Sequence, residues 1–339
     1  MLVLVAPLNW GLGHATRCIP LIQRLLDEGH QVVLGGDGES LMLLRRHFPK
    51  LSVLALSPLN LRYSRGHSQV GAMLRAIPRI LWSSLQDHRL LRRYQREYGF
   101  EMIISDNRFG LYTPCTRCVY LTHQLHICLP DGWHWLEPLA HALHARIYNR
   151  YAEVWVPDYE DPQQSLAGKL SHPEELKMAN SQWLTAKGQK PIRYIGPLSR
   201  FTLPETSDSS TPMKIYDTVA VLSGLEPQRS LFEQQLRERF AHSEQEVLLV
   251  QGLIGRPRTT IHRGHLTVVP HLSDNEMRGA LLHAHHIIAR SGYSTIMDLA
   301  ALGVLDRAEL IPTPGQPEQI YLARAIDEAR GRCRDGRNV

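Results

Sequence analysis

The chain has 339 residues, of which 43% are apolar and 21% are charged, and its formal net charge is +5. This length predicts two domains of roughly 150 residues each, and the composition excludes a chain that is disordered throughout. There is no uncharged apolar stretch of about 18 residues and no basic region ahead of the first apolar run, so a cytoplasmic protein without a membrane helix or signal peptide is expected.

The first predicted elements are a strand, a helix and a second strand. Residues 2–6 are continuously apolar, residues 18–26 carry apolar positions at helical spacing, and residues 31–34 are typical of another buried strand. This βαβ pattern predicts a parallel sheet covered by helices.

A glycine-rich turn joins the first strand to the first helix, with the sequence NWGLGHATR at residues 9–17. Gly11 and Gly13 let the backbone turn sharply and approach a ligand closely, and the start of the helix favours negative charge. His14 lies in the same turn and can take a proton from a hydroxyl near neutral pH. A purely structural histidine is the alternative.

The same turn admits a second interpretation, a dinucleotide site. Gly11 and Gly13 begin the dinucleotide fingerprint, and Asp37 follows the second strand where a ribose-binding acid would lie. The third glycine of the fingerprint is missing, because residue 16 is a threonine.

Residues 71–98 have a helical pattern, which Pro78 is expected to kink or to start. Arginines are interleaved with leucine, isoleucine and Trp82; they are Arg75, Arg79, Arg89, Arg92, Arg93 and Arg96. A basic amphipathic helix can lie on an anionic bilayer, while a solvated face whose arginine stems cover the core is the more common arrangement.

The remaining first half continues the alternation of strands and helices. Short apolar runs at residues 51–56, 102–105, 119–122 and 154–156 predict further strands of a doubly wound sheet. Cys115 and Cys118 match CxxC without a second pair, and the five cysteines are irregularly spaced, so neither zinc binding nor disulfides are expected.

A stretch rich in serine, threonine and proline follows and predicts a linker at residues 198–214. Residues 1–197 would then form an N-terminal Rossmann-like domain and residues 215–339 a C-terminal one. The alternation restarts there, with predicted elements at residues 218–222, 231–240, 247–250, 266–269, 275–283, 286–289, 295–302, 309–311 and 318–329. The histidines at 283, 285 and 286 lack a cysteine or carboxylate at ligand spacing, so no metal and no other cofactor is expected.

The second half contains a strand, a Ser-Gly turn and a helix in the sequence RSGYSTIMDLAALG at residues 290–303. Backbone N–H groups there can cradle a diphosphate beside Arg290; they belong to Ser291, Gly292, Tyr293, Ser294 and Thr295. Asp298 lies one turn into the helix and can accept hydrogen bonds from ribose hydroxyls. Gln319, in IPTPGQPEQ at residues 311–319, can reach sugar hydroxyls.

These segments resemble the donor-binding region of glycosyltransferase family 28, which includes the peptidoglycan N-acetylglucosaminyltransferase and the monogalactosyldiacylglycerol synthases. The glycine turn with its histidine is similar too, and LTHQL at residues 121–125 takes the place of a His-Glu-Gln-Asn loop. A bacterial group with GLGHATR, SDNRFGL and THQL motifs resembles the chain more closely still. The resemblance spans most of the chain and implies the GT-B fold, two Rossmann-like domains whose parallel sheets face each other across a cleft.

The resemblance also implies roles for individual residues. His14 is the candidate general base, Asp106 is the reserve base, and the implied acceptor-binding residues are Asn107, Arg108, His123 and Gln124. The implied donor-binding residues, besides those of residues 290–298, are Gly11, Gly13, Ser223, Gly224, Leu272, Gln316, Glu318 and Gln319. Ser223–Gly224 carries one glycine where the family has several, Asp298 replaces a glutamate, and Glu318 replaces a glutamine. Relatives continue beyond residues 330–339 with another strand and helix, so a truncated or shifted last element is expected.

The implied activity is inverting, metal-independent transfer of a hexose or N-acetylhexosamine from a UDP-sugar to a hydroxyl of a lipid-linked or glycan acceptor. Helix starts, loop amides and Arg290 would stabilise the negative charge that develops on the leaving nucleoside diphosphate. Closure of the two domains about residues 198–214 would exclude water. An anionic membrane surface on the inner face of the plasma membrane is a further implied partner, and nucleic acid is not expected. The alternatives are a UDP-sugar epimerase or hydrolase on the same fold, or a non-catalytic accessory protein that binds a nucleotide sugar.

Overall fold

The computed structural model describes residues 1–59, 63–66, 69–173, 191–203 and 214–334, with the side chains of 70 and 332–334 excepted. The chain divides into two compact units. The first comprises Met1–Asn9, Leu21–Asn60 and Met73–Leu198, and the second Trp10–Pro20, Leu61–Ala72 and Ser199–Val339. Trp10–Pro20 and Leu61–Ala72, which the sequence analysis placed in the N-terminal domain, therefore group with the second unit. Of the predicted linker, residues 204–213 lie outside the described residues.

The first unit is built on a seven-stranded sheet in the order β3-β2-β1-β4-β5-β6-β7, in which every neighbouring pair is parallel. Its strands are β1 Leu2–Pro7, β2 Gln31–Gly36, β3 Ser52–Ala55, β4 Met102–Asp106, β5 Arg117–Leu121, β6 Glu153–Val156 and β7 Ile192–Tyr194. The helices of this part of the chain are α1 Gly13–Asp27, α2 Gly38–His47, α3 Val70–Tyr98 and α4 Glu137–Tyr148.

The middle of this sheet is formed by the most apolar strands. β1 and β4 pair in register, with Leu4 opposite Ile103, and both side chains are fully buried. Parallel strands are covered on both faces, which is why they are continuous apolar runs rather than alternating ones. Tyr151 lies in the same core and its hydroxyl donates to the Arg108 carbonyl at 2.7 Å, so this buried polar group is satisfied.

The second unit is built on a six-stranded sheet in the order β10-β11-β9-β8-β12-β13. The strands are β8 Thr218–Val221, β9 Val247–Val250, β10 Ile261–Arg263, β11 Leu266–Val269, β12 His286–Arg290 and β13 Ala308–Ile311. All neighbours are parallel except β10 and β11. The helices are α5 Gln228–Arg239, α6 Asp274–His283, α7 Tyr293–Ala301 and α8 Pro317–Arg334. Phe232, Leu236 and Ile288 lie in its core.

The predicted fold class is confirmed, since the structure contains two sheets of mostly parallel strands with connecting helices. The pattern placed the start of the first helix at residue 18, but α1 begins at Gly13, so that His14 and Arg17 lie on its first turns. Pro78 lies inside α3 and does not start it. None of the described helices is both long and apolar enough to cross a membrane.

Candidate functional site

Each sheet has one point at which the strand order reverses, and ligands of open α/β folds bind beyond the carboxyl ends of the strands there. In the first sheet this point lies between β1 and β4, and in the second between β8 and β12. β4 ends at Asp106, β8 leads into Ser223–Gly224, and β12 leads into Ser291–Gly292. Asp106, Ser223–Gly224 and the turn after β12 thus lie at the reversal points, whereas Leu272 follows β11 and residues 316–319 follow β13.

The turn after β12 presents the start of α7. Gly292 caps this helix in an extended conformation, and the first helical hydrogen bond joins the Ile296 N–H to the Gly292 carbonyl at 3.1 Å. The amides of the first turn have no acceptor within the helix and carry the positive end of its dipole. No acidic side chain lies in this first turn. The turn therefore has the backbone geometry and charge of an anion site.

Three glycines bring two further loops close to this turn, within the second unit. Gly11 and Gly224 have φ angles of 78° and 97°, in the left-handed region that favours glycine. A Cβ on Gly11 would lie 3.9 Å from the Gly224 Cα, and one on Gly13 would lie 2.9 Å from the Ser294 Oγ. The Ser294 hydroxyl donates to the Gly13 carbonyl at 2.8 Å. Backbone from three loops thus converges on the start of α7.

Arg290 supports the turn after β12 and the loop after β13. Its side chain is buried, one Nη donates to the Pro312 carbonyl at 2.8 Å, and its Cζ lies 3.9 Å from the centroid of the Phe232 ring. Burial lowers the pKa of Arg290 to about 10, so the guanidinium stays charged at neutral pH. Arg290 can therefore act on a bound diphosphate through its charge, while its hydrogen bonds hold the loop after β13.

Gln319 lies beside the turn after β12. Its Oε1 accepts from the Thr313 N–H at 2.8 Å, and its carbonyl accepts from the Ser291 hydroxyl at 2.8 Å. Its Nε2 lies 4.0 Å from the position that a Cβ on Gly292 would occupy. The amide donor of Gln319 is thus positioned next to the candidate anion site, and Gln316 and Glu318 are half-buried on either side of the first residue of α8.

Asp298 connects α7 to the start of the predicted linker. Ser199 Oγ donates to Asp298 Oδ1 at 2.6 Å, and Arg200 Nε lies 3.5 Å from Asp298 Oδ2. Burial raises the pKa of Asp298 even though Arg200 and Ser199 favour its ionised form. Leu272, an implied donor-binding residue, is half-buried and directly precedes Ser273, which caps α6.

The prediction that Asp298 accepts a hydrogen bond from a ribose hydroxyl is tested by Asp298→Ala. This variant is then expected to bind UDP about 10- to 100-fold more weakly, because one hydrogen bond to a charged group contributes about 1.5–3 kcal/mol. Isothermal titration of UDP into the purified variant measures this change. Ser199→Ala is the matched control, since it removes the same internal hydrogen bond and leaves the carboxylate. Equal losses of affinity in the two variants would show that Asp298 supports the fold and does not contact the ribose.

His14 and Arg17 form a pair on the first turns of α1. An Nη of Arg17 lies 2.9 Å from His14 Nδ1, and Arg17 is buried while His14 is half-buried. A guanidinium only donates, so Nδ1 is the acceptor and neutral His14 carries its proton on Nε2. In this arrangement Nε2 is a hydrogen-bond donor. It can act as a base only if the contact of Nδ1 with Arg17 is lost and the proton moves to Nδ1.

Arg108, a predicted acceptor-binding residue, lies in the interior of the first unit. Its Nε donates to the Pro7 carbonyl at 3.0 Å, its Nη1 donates to Asp87 Oδ2 at 2.8 Å, and its Nη2 is paired with Asp37. Arg108 therefore braces the ends of the strands, and an acceptor would reach it only if this network opened. Asp37 also accepts from Asn9 Nδ2 at 3.0 Å, so the acid of the rival dinucleotide interpretation is engaged within the protein.

The other predicted acceptor-side residues surround the same end of the first sheet. Asp106 is fully buried at the end of β4, and Asn107 follows it with a φ angle of 56°. His123 is buried after β5, and the Gln124 N–H donates to the Thr122 hydroxyl at 3.1 Å. Asp106 is thus shielded from solvent in this conformation, and an acceptor hydroxyl would meet it only after a local rearrangement.

Tyr63, Ser64 and Gln69 contact loops of the second unit that were not predicted from the sequence. Gln228 Nε2 donates to the Ser64 carbonyl at 2.7 Å, and Gln69 Nε2 donates to the Pro314 carbonyl at 3.2 Å. Trp10 Nε1 donates to the Tyr63 hydroxyl at 3.1 Å. These contacts join residues far apart in the chain, and the polar composition of residues 63–69 gave no signal for them.

Two Rossmann-like units with glycine-rich turns at the reversal points of their sheets define the architecture of the GT-B class. Neither a protein-family model nor a curated protein sequence matches the chain. Similarity to solved structures is extensive, however, and covers nearly the whole chain.

Glycosyltransferase SnogD from Streptomyces nogalater is 17% identical with a TM-score of 0.52, over 98% of this chain and 95% of that one. The Streptomyces glycosyltransferase SsfS6, in complex with thymidine diphosphate, is 12% identical with a TM-score of 0.55, over 100% and 91%. A Listeria monocytogenes protein assigned as a UDP-N-acetylglucosamine 2-epimerase is 11% identical with a TM-score of 0.57, over 97% and 88%. The protein therefore has the fold of the GT-B glycosyltransferases.

Proposed function

We propose that the protein is an inverting, metal-independent glycosyltransferase of the family 28 type. It moves a hexose or N-acetylhexosamine from a UDP-sugar to a hydroxyl of a lipid-linked or glycan acceptor. The observation that carries this proposal is the convergence of Gly11, Gly13 and Gly224 on the start of α7. The SsfS6 structure, which shares the fold, was solved with thymidine diphosphate, a ligand of the required chemistry.

In the proposed reaction the acceptor oxygen attacks the anomeric carbon from the face opposite the leaving group. A C–O bond forms there while the bond to the diphosphate oxygen breaks, and the nucleoside diphosphate leaves with the electron pair. Its developing negative charge is stabilised by the amides of the first turn of α7, which are already oriented before the reaction. The acceptor proton passes to His14, or to Asp106 after local rearrangement.

A transfer assay tests this proposal. Purified protein is incubated with radiolabelled UDP-glucose, UDP-galactose or UDP-N-acetylglucosamine, first alone and then with a panel of lipid-linked and glycan acceptors. A transferase leaves most of the donor intact until an acceptor is added and then forms labelled glycoside. Absence of transfer to every acceptor, together with intact donor, would contradict the proposal.

A second candidate function is epimerisation or hydrolysis of the sugar nucleotide, because the Listeria epimerase structure has the same fold. The assay without acceptor separates it from transfer, since an epimerase forms the epimer and a hydrolase releases free sugar. A third candidate is a non-catalytic accessory protein that binds the nucleotide sugar. It predicts a melting-temperature increase with UDP-sugars and no turnover under either condition.

The surface of α3 supports the lipid-linked acceptor and an anionic membrane as a partner. Large apolar side chains recur along it at helical spacing and are exposed: Leu74, Ile77, Leu81, Trp82 and Leu85. The arginines of this helix are exposed as well; they are Arg75, Arg79, Arg89, Arg92, Arg93 and Arg96. Apolar side chains flanked by arginine favour the interface of a bilayer with anionic headgroups, as on the inner face of the plasma membrane.

Vesicle sedimentation tests this surface. The protein is expected to sediment with phosphatidylglycerol-containing vesicles and not with pure phosphatidylcholine, and the double variant Leu81→Ser, Leu85→Ser is expected to lose binding. Leu282→Ser is the matched control, because Leu282 is an exposed leucine of the second unit. Equal sedimentation of the double variant and the wild type would refute the assignment of this surface.

A further inference from the structure

A cluster of ligand-type side chains lies in the first unit, on the loop that joins β5 to α4. His126 is buried, and Cys128 and Glu137 are half-buried. The candidate ligand atoms, a ring nitrogen, Sγ and a carboxylate oxygen, all lie within 4.8 Å of one another. This cluster is separate from the residues assigned to sugar transfer, and the inference drawn from it does not depend on that function.

The spacing of the cluster fits a tetrahedral metal centre. His126 Nε2 lies 3.2 Å from Glu137 Oε2. Two ligands bound to one zinc ion at about 2.0–2.1 Å are separated by about 3.3 Å in a tetrahedral arrangement. The His–Glu pair therefore already has the spacing of two zinc ligands. Binding requires the His126 ring to turn from Oε2 toward the ion and Cys128 Sγ, which lies within 4.8 Å, to approach it.

The ligand types select among metals. Ca²⁺ and Mg²⁺ take oxygen ligands, so a set with one thiolate and one imidazole disfavours both. A thiolate, a neutral imidazole and a carboxylate together carry two negative charges, which balance a divalent cation. Three protein ligands leave one tetrahedral position for water, and the half-buried Cys128 and Glu137 leave a path to it.

The carboxylate of Glu137 is already oriented by its surroundings. Its Oε1 accepts from the Leu129 N–H at 2.9 Å and contacts His134 Nδ1 at 2.9 Å, while its Oε2 is directed at His126. Outer hydrogen bonds of this kind fix the geometry of metal ligands in known centres. The loop is thus held in a shape that keeps Oε2 next to the ring nitrogen of His126.

We propose that His126, Cys128 and Glu137 bind a Zn²⁺ ion that fastens the loop after β5 to the first residue of α4. The sugar transfer proposed above does not use this ion. It fixes the segment that carries the exposed Trp133 and Trp135, which lies a few residues after the predicted acceptor-binding residues His123 and Gln124.

Metal titration of the purified full-length protein tests this proposal. The protein is stripped with a chelator and dialysed, and zinc chloride is then added in competition with a chromogenic chelator. One tightly bound equivalent per chain is expected, together with a rise in melting temperature. Cobalt in place of zinc should give a thiolate-to-cobalt charge-transfer band in the near ultraviolet.

Matched variants identify the ligands. Cys128→Ser is expected to lose the cobalt charge-transfer band and to bind zinc at least about 100-fold more weakly, because outer-sphere changes alone cost 10- to 100-fold. Glu137→Gln should weaken zinc binding and keep the band. Cys115→Ser is the control, since Cys115 is an exposed thiol of the other candidate pair, whose partner Cys118 is buried.

Three results would overturn the proposal: no tight equivalent in the wild type, equal zinc affinity in Cys128→Ser, or a cobalt band that disappears in Cys115→Ser instead. The unaltered melting temperature of metal-free Cys128→Ser relative to the metal-free wild type would show that the variant is folded. Its failure to gain stability from zinc is then attributable to the missing ligand.

Discussion

Replacing His14 with alanine is expected to lower kcat about 100- to 10,000-fold, the range over which a positioned acid or base accelerates proton transfer. The Kd for UDP is expected to change little, because the contacts proposed for the diphosphate come from the backbone of the glycine turns and the start of α7. Steady-state kinetics and titration calorimetry on the same preparation measure both quantities. Equal effects of His14→Ala and Asp298→Ala on UDP binding would contradict this division of roles.

The contact between His14 and Arg17 gives a second test, the variant Arg17→Ala. Because Nδ1 accepts from Arg17, Nε2 of neutral His14 carries the proton and can only donate. Arg17→Ala frees Nδ1, so a higher kcat in this variant is expected if His14 is the base and a lower kcat if His14 acts as a donor from Nε2.

The second large effect concerns stability. Arg108→Met is expected to destabilise the protein by about 3–5 kcal/mol, because removing one partner of a buried ion pair leaves the other charge uncompensated. Here two carboxylates, Asp37 and Asp87, lose their partner. Urea unfolding followed by circular dichroism measures the loss. Arg92→Met is the control, since Arg92 is exposed on α3, and is expected to change stability by less than about 0.5 kcal/mol.

The loss in Arg108→Met is expected to depend on pH with a defined sign. Burial raises the pKa of Asp87, and the charge of Arg108 counteracts part of that rise. A carboxyl with a raised folded pKa binds its proton more readily in the folded state, so its cost is present at high pH and decreases as the pH falls through that pKa. The variant should therefore be less destabilised at mildly acidic pH than at alkaline pH.

An unaltered stability of Arg108→Met, combined with a raised KM for the acceptor, would contradict the role of Arg108 as a brace. That result would favour the acceptor-binding role that the resemblance implies. The two roles are distinguishable because a brace affects unfolding in the absence of any ligand.

The buried strands of the two sheets could be predicted from the sequence. The buried strands β1, β4, β9 and β11 are short apolar runs whose period and bounding turns are local properties, and they were predicted almost to the residue. β10 was missed because all three of its residues are exposed at a sheet edge. α2 and α4 were missed because each buries only two or three side chains, so that its apolar periodicity is weak.

The glycine turns were predictable, because glycine marks sharp turns locally. Gly11, Gly13, Gly224 and Gly292 indicate turns in the sequence, and the structure brings these turns to the start of α7 or next to it. Their role in donor binding stays a prediction. The partners of charged side chains were not predictable. Arg108 contacts carboxylates 71 and 21 residues away, and Ser199 contacts Asp298 from 99 residues away. Such contacts depend on how strands are ordered, which a linear pattern does not record.

The proposed function depends most directly on binding of a nucleoside diphosphate at the start of α7. Gly292 has an ordinary φ of −72°, and a Cβ there would lie at contact distance, 4.0 Å, from Gln319 Nε2, so that Gly292→Asp is expected to fold. Aspartate is a favoured helix cap, but its charge would repel the diphosphate. Gly292→Asn is the uncharged control.

The decisive measurement is the melting-temperature increase that UDP produces in these three proteins. We expect a clear increase for the wild type, a largely retained increase for Gly292→Asn and none for Gly292→Asp, with similar melting temperatures in the absence of ligand. An increase in Gly292→Asp as large as in the wild type, or no increase in the wild type with UDP, GDP or dTDP, would contradict it.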